Sequence, residues 1–312
     1  MKKARSRRRR AVLAFHSALF TLHSALYLVA LLALGLPQPA RGETAVSGPQ
    51  KSEEGFLVYT VTSEFLAGPN AVEVLLPDKL EAGKPTPVLY ILPVNAGTRG
   101  QWGSGIREAK QLNIHNQYGL VCVAPAFDSL PWYADHPTDP KIRQESYLLK
   151  VVLPLVESRH PVLKEPRGRL LAGFSKSGWG AFSLILRHPD VFGRAAAWDA
   201  PLMEQAPKKY GMADIFGTQD NFDGYRIDRL LSEKAKTFKD GPARLILLGY
   251  GNFKDQTEQA HALMRTVGIP HVFENSVNRK HDWHSGWLAD AVKLLMADRP
   301  SIPVTPQQIP LQ

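Results

Sequence analysis

The chain has 312 residues, 44% of them hydrophobic and six of them tryptophan, which excludes a disordered chain and supplies enough apolar surface for one large α/β domain. The formal net charge is +9, but residues 1–42 hold eight lysines or arginines and no acid, leaving +1 for the rest. Charge therefore gives no ground for a nucleic-acid or other polyanion partner, and the single cysteine, Cys122, excludes an internal disulfide.

The first element is a targeting pattern. A basic stretch leads into "AVLAFHSALFTLHSALYLVALLALGL" and then "PQPARG", the order of a secretory signal peptide. Cleavage after Gly42 puts Ala40 and Gly42 at the small-residue positions. "SRRRRAVLAF" also loosely resembles a twin-arginine export signal. An uncleaved anchor is the other reading, because the apolar run can span a bilayer if His16 and His23 are tolerated. Export, periplasmic or secreted, is expected, with membrane association only if residues 1–42 stay attached.

Residues 43–54 read as a polar linker, residues 55–298 as the folded domain and residues 299–312 as a proline-rich tail. "FLVYTVTSEFL" and "AVEVLLPD", separated by "AGPN", predict a β-hairpin. "PVLYILPV" (87–94) is a continuous apolar run, the signature of a strand buried on both faces. "GIREAKQLNIHNQYG" predicts a helix ending near Gly119, and "LVCVAPAF" predicts a strand with Cys122 buried. "DSLPWYADHPTDP" is a Pro- and Asp-rich loop. "IRQESYLLKVVLPLVESRH" has helical spacing, interrupted or kinked at Pro154. Then come strand "GRLLAGF", helix "SGWGAFSLILRHP" and strand "GRAAAWDAP". Residues 202–240 are less regular and read as a small cap-like insertion. Strand "ARLILLGYG", helix "TEQAHALMRTVG", a short strand "HVFENSV" and helix "HSGWLADAVKLLMA" complete the series. Repeated strand–helix units predict an open, mostly parallel sheet with helices on both faces, whose reactive residues follow the strands.

Ser175 stands where such chemistry belongs. Gly173-Phe174-Ser175-Lys176-Ser177 lies between a strand and a helix, the context of a nucleophile elbow. The turn needs small residues two before and two after the serine. Gly173 and Ser177 meet that need, while Gly178 and Gly180 let the helix pack closely. The Lys176 amide would point at a developing oxyanion. Serine needs a base, and "NRKHDWHSGW" offers His281 and His284 in the right chain order. His281 is preferred, because it lies in the loop while His284 begins the helix. Tyr133, Asp135 and His136 in "PWYADHP" could contact substrate or form only a surface turn. Trp198 and Trp283 could line a pocket or fill the core. No spacing matches a zinc site or a phosphate cradle, and no cofactor is expected.

"PVLYILP", "LLAGFSKSGWGAFSLILRHPDVFG" and "KHDWHSGW" together resemble the putative-esterase branch of the α/β-hydrolase fold, over residues 56–296. That branch includes S-formylglutathione hydrolase (esterase D), enterochelin, feruloyl and acetylxylan esterases, and mycolyltransferases. The resemblance implies an α/β-hydrolase fold and a serine esterase acting on a small-molecule or carbohydrate ester, with Ser175 as nucleophile and His281 as general base. Three departures stand out. The glycines expected before the histidine are Arg279 and Lys280. The usual His-Gly after the third strand reads Pro93-Val94, which makes Asn95 the second oxyanion amide. Finally, the place where the family carries its acid, after "RLILLGYG", holds Asn252. Asp255 is the acid assigned, after a small loop shift. Asn252 acting without charge and Asp199, from the preceding strand, are the alternatives. Acyl transfer to a sugar or lipid, and a non-catalytic binding protein on the same fold, are the other readings of function.

Overall fold

The computed structural model describes residues 44–81 and 83–297. The leader and tail expected at 1–42 and 299–312 lie outside those residues. Nine strands form one sheet in the order β1-β2-β3-β5-β4-β6-β7-β8-β9. They are β1 (Ala45–Lys51), β2 (Leu57–Thr62), β3 (Asn70–Leu75), β4 (Val88–Ile91), β5 (Val121–Pro125), β6 (Arg169–Phe174), β7 (Arg194–Trp198), β8 (Leu245–Tyr250) and β9 (His271–Asn278). Strands β1, β2, β3 and β5 pair antiparallel. From β5 through β4, β6, β7 and β8 to β9 every pairing is parallel. This is the mostly parallel sheet that the repeated strand–helix pattern predicts. One expectation is corrected at its edge: residues 45–51, inside the segment read as a linker, form β1, paired with β2 from Ala45↔Thr62 to Lys51↔Leu57. Nearly all of β1 is exposed, so no apolar alternation announces it; ladder hydrogen bonds to a neighbouring strand hold it.

The central strands read as continuous apolar runs because both faces are covered. Side chains alternate across a strand, so Val88 and Tyr90 enter one core while Leu89 and Ile91 enter the other. Helices α1 (Gly105–Gln111), α2 (Ile114–Gln117) and α11 (Trp287–Met296) cover the second face, with Ile106, Ala109, Ile114, Leu288 and Val292 in its core. Helices α3 (Gln144–Tyr147), α4 (Leu153–Arg159) and α5 (Ser175–Arg187) cover the first, together with α10 (Lys254–Val267).

The helical segment around Pro154 is continuous. A π-helical stretch, Leu148–Val152, joins α3 to α4. Proline has no N–H for the preceding turn and its ring crowds it, and widening that turn accommodates both. The insertion holds four short helices, α6 (Ala213–Phe216), α7 (Gln219–Asp223), α8 (Ile227–Glu233) and α9 (Ala235–Lys239). Among the described residues no helix is long and apolar enough to cross a membrane.

Candidate active site

Strand β6 ends at Phe174 and α5 begins at Ser175 with no intervening loop. So sharp a reversal forces Ser175 to φ 52°, in the left-handed region, at a cost of about 1–3 kcal/mol for a residue with a Cβ. Its neighbours make the turn possible. A Cβ on Gly173 would lie 2.3 Å from the Ser177 carbonyl oxygen. The Ser177 hydroxyl, fully buried, donates to the Phe174 carbonyl at 2.9 Å and accepts from the Phe174 amide at 3.1 Å. Ser177 therefore closes the turn and is committed to it. A Cβ on Gly180 would meet the Tyr133 ring at 2.1 Å, and one on Gly178 would meet Ala200 at 2.9 Å.

The sheet register carries the next residue into place. Strands β6 and β7 pair Gly173↔Ala197 and Phe174↔Trp198, so the following step sets Ser175 beside Asp199. The Ser175 amide donates to the Asp199 carbonyl oxygen at 3.1 Å. Asp199 also has positive φ, 42°, and its side chain is fully buried. One carboxylate oxygen accepts from the backbone amides of Asn252 at 2.6 Å and Phe253 at 2.7 Å. The other lies 2.5 Å from His281 Nδ1. A Cβ on Gly251 would sit 2.6 Å from that same oxygen, so glycine is required there for the carboxylate to enter. Burial pushes the Asp199 carboxyl up, but the hydrogen bonds from His281 and from the 251–253 backbone outweigh it and hold it below the ordinary aspartate range. An ionised carboxylate only accepts, so Nδ1 carries the proton and Nε2 is the basic nitrogen.

Aromatic edges fix the plane of the imidazole. The Phe174 and Trp102 rings each stand 5.0 Å from it in edge-on contact, and Phe253 lies at 5.9 Å. Phe174 immediately precedes Ser175, so this packing seats the His281 ring beside the elbow. Among the described residues the Ser175 hydroxyl makes no hydrogen bond to the ring.

Asp255, the acid assigned from sequence, lies instead in the first turn of α10, exposed to solvent. Asn252 contributes its backbone amide to Asp199, and its side chain is exposed. The carboxylate at the histidine is thus Asp199, on the end of β7, and the loop after β8 supplies donors where an acid was expected. Neighbouring parallel strands lie about 4.8 Å apart, so either strand end can reach the same imidazole.

Residues 63–267 match the family described as "Putative esterase". The chain belongs to that family, one of carboxylic ester hydrolases. No curated protein matches this esterase in sequence. Solved structures match its fold. A ferulic acid esterase aligns with TM-score 0.60 and 20% identity, over 82% of this chain and 96% of that one. A fluorophosphonate-binding serine hydrolase F of Staphylococcus aureus aligns with TM-score 0.61 and 16% identity, over 83% and 100%. An S-formylglutathione hydrolase of Agrobacterium tumefaciens aligns with TM-score 0.57 and 16% identity, over 83% and 96%. At these identities the likeness is one of fold, and it is the α/β-hydrolase fold.

In this esterase the remaining sequence candidates divide clearly. Lys176 is the second residue of α5, and its amide is one of those a helix N-terminus leaves without an intrahelical partner. Burial lowers the pKa of its ammonium. Asn95 follows β4 in a bend, half-buried, with its side chain folded against Gly100, where a Cβ would lie 2.2 Å from Oδ1. His284 does not face Asp199: its Nδ1 lies 2.6 Å from the Glu108 carboxylate on α1. Tyr133 is fully buried and donates to the Pro93 carbonyl at 2.6 Å. Asp135 accepts from Ser146 and pairs with Arg143, and the His136 ring accepts from the Thr138 and Asp139 amides. These three shape the loop. Trp198 and Trp283 are core residues packed beneath Phe174. Cys122 is fully buried, and burial pushes its thiol up to about 12. Among the described residues no cluster of three or more His, Cys, Asp or Glu could hold a metal.

Proposed function

We propose that this esterase cleaves a carboxylic ester through an acyl-serine intermediate on Ser175. The observation that carries the proposal is the 2.5 Å His281–Asp199 contact at the strand ends where the left-handed Ser175 opens α5. In this reading His281 Nε2 takes the Ser175 proton as Oγ attacks the ester carbonyl. The Lys176 and Asn95 amides stabilise the resulting oxyanion. The intermediate collapses, the alcohol leaves with the proton from His281, and an acyl-serine remains. His281 then activates water, which releases the acid and restores the serine. The apo hydroxyl need not touch the ring, since catalytic hydrogen bonds commonly tighten only when substrate is bound. The buried Asp199 carboxylate at His281 favours this reading over a non-catalytic binding protein on the same fold.

Labelling with a fluorophosphonate followed by digestion tests this reading. The expected mass increase falls on the peptide containing Ser175, and Ser175→Ala lowers p-nitrophenyl acetate turnover by on the order of 10³-fold or more. Label on another residue, or turnover unchanged in the variant, would reject it. We also propose export, supported by the basic and apolar order of residues 1–42. The N-terminal residue of protein recovered outside the cytoplasm tests that, with Glu43 expected after cleavage at Gly42.

A further inference from the structure

A second carboxylate–histidine pair lies beside the one at the elbow and has no part in the mechanism above. Glu108, on α1, has a side chain only 5% exposed, yet among the described residues its side chain bonds only His284, half-exposed, with Nδ1 at 2.6 Å. A buried carboxylate with one partner is costly unless that contact is kept. The pair joins two segments that matter to the chemistry. His284 belongs to the short turn Trp283–Ser285, two residues after His281 along the chain is Trp283, and α1 follows the loop from Asn95 to Ser104.

Three further contacts close the same seam. The Trp283 amide donates to the Trp102 carbonyl at 3.0 Å. The His284 ring lies over Gly103, where φ is +81° and a Cβ would sit 2.6 Å from Nε2. The Trp283 ring fills the space above Gly105, where a Cβ would sit 2.9 Å away. Trp102, held in this seam, presents its ring edge to the His281 imidazole. The His281 segment is therefore moored twice. Asp199 holds Nδ1 from one side. The seam holds Trp102 and the histidine turn from the other side.

We propose that Glu108 and His284 are positioning residues for the esterase reaction, clamping the His281 turn to α1, which directly follows the Asn95–Ser104 loop, so that the imidazole and the oxyanion loop keep a fixed separation. The proposal rests on the reading of Ser175 and His281 as nucleophile and base. An ångström of misplacement can cost about 10²-fold in rate. Breaking the clamp should therefore lower kcat with little change in KM for a small ester.

The test uses Glu108→Leu, Glu108→Gln and His284→Phe in the full chain, with Ser175→Ala alongside. Each is assayed for kcat and KM with p-nitrophenyl acetate, for Tm, and for the low-field proton resonance of His281 Nδ1–H. Glu108→Leu and His284→Phe should lose at least about tenfold in kcat, KM should change less than about threefold, and the low-field resonance should shift or broaden. Glu108→Gln keeps an acceptor for the Nδ1–H of His284 and should recover most of the loss. Unchanged kcat in His284→Phe, or a loss that Glu108→Gln does not relieve, or an unmoved resonance in a folded slow variant, would overturn the clamp. If Glu108→Leu does not fold, the other two variants decide. Full activity in Ser175→Ala would instead reject the underlying mechanism.

Discussion

Asp199 shows how one side chain can serve two structures at once. Its backbone carbonyl holds the Ser175 amide, and its carboxylate holds both the His281 ring and the loop after β8. Asp199→Asn keeps the shape, but an amide can present its NH₂ to Nδ1 and so favour the tautomer with the proton on Nε2. The expected result is a fall in kcat of roughly 10³- to 10⁴-fold with the fold intact. Asp255→Asn, at an exposed position of α10, should stay within about twofold. Steady-state kinetics on the two variants check this, and equal losses would contradict the placement of the acid. The resembled family carries its carboxylate after the strand that is β8 here, where the nearest acid in this chain is Asp255. The signal that pointed to Asp199 was present: "AAAWDAP" ends an apolar run with a charged residue, next to the strand that feeds the elbow. A buried carboxylate at a strand's carboxyl end needs partners. The sequence could not show that those partners are backbone amides 53 and 54 residues away.

At the scale of elements, the helices on the first face are joined to the insertion by another buried carboxylate. Glu145, on α3, accepts from Arg187 Nε at 2.7 Å and from the Tyr225 hydroxyl at 2.8 Å, and lies 2.6 Å from His188 Nε2. Arg187 ends α5, stacks over the Tyr225 ring at 3.9 Å and donates to the Gly224 carbonyl. One acid thus ties α3, α5 and the insertion together. Burial pushes its carboxyl up, but hydrogen bonds from His188 and Arg187 prevail and bring it to about 2, against 4.5 for a free glutamate. A depressed folded-state pKa stabilises above the unfolded value and loses that stabilisation as pH falls toward the folded value. Glu145 therefore contributes about 3 kcal/mol at neutral pH, lost between about pH 4.5 and 2. At about 2–4 °C per kcal/mol for a domain of this size, Tm should drop several degrees across that window. Glu145→Gln should start from a lower Tm and show a shallower slope. Parallel Tm–pH curves for the two proteins would contradict this role. None of this network was visible in sequence, because its members lie up to 80 residues apart and no motif joins them.

Over the whole molecule, legibility followed burial. The strands that became β4 to β8 were readable because their apolar runs have no polar face to preserve, and the sharp strand-to-helix turn at Ser175 was readable from the small residues around it. Strand β1 was not, since its exposed "AVSGPQK" has turn-like composition and is strand only through its partner. Within the insertion, "RIDRLLSEKAKTF" has a short helical pattern and forms α8 and α9, whereas α6 and α7, four and five residues long, are too short to show a period. The same two-sided burial makes a prediction about cooperativity. Leu170 and Leu171 are adjacent in β6 and fully buried, but Leu170 belongs to the core beneath α1 and α11, and Leu171 to the core beneath α5 and α10. If the two cores were separate units, truncating each would loosen only its own side. They share every central strand, however, and loss of packing on one face leaves those strands with a single covered face that cannot persist alone. Leu170→Ala and Leu171→Ala should each cost about 2–5 kcal/mol. Both should move a single calorimetric transition to lower temperature without splitting it. A second endotherm in either variant would show that the two faces of the sheet melt independently.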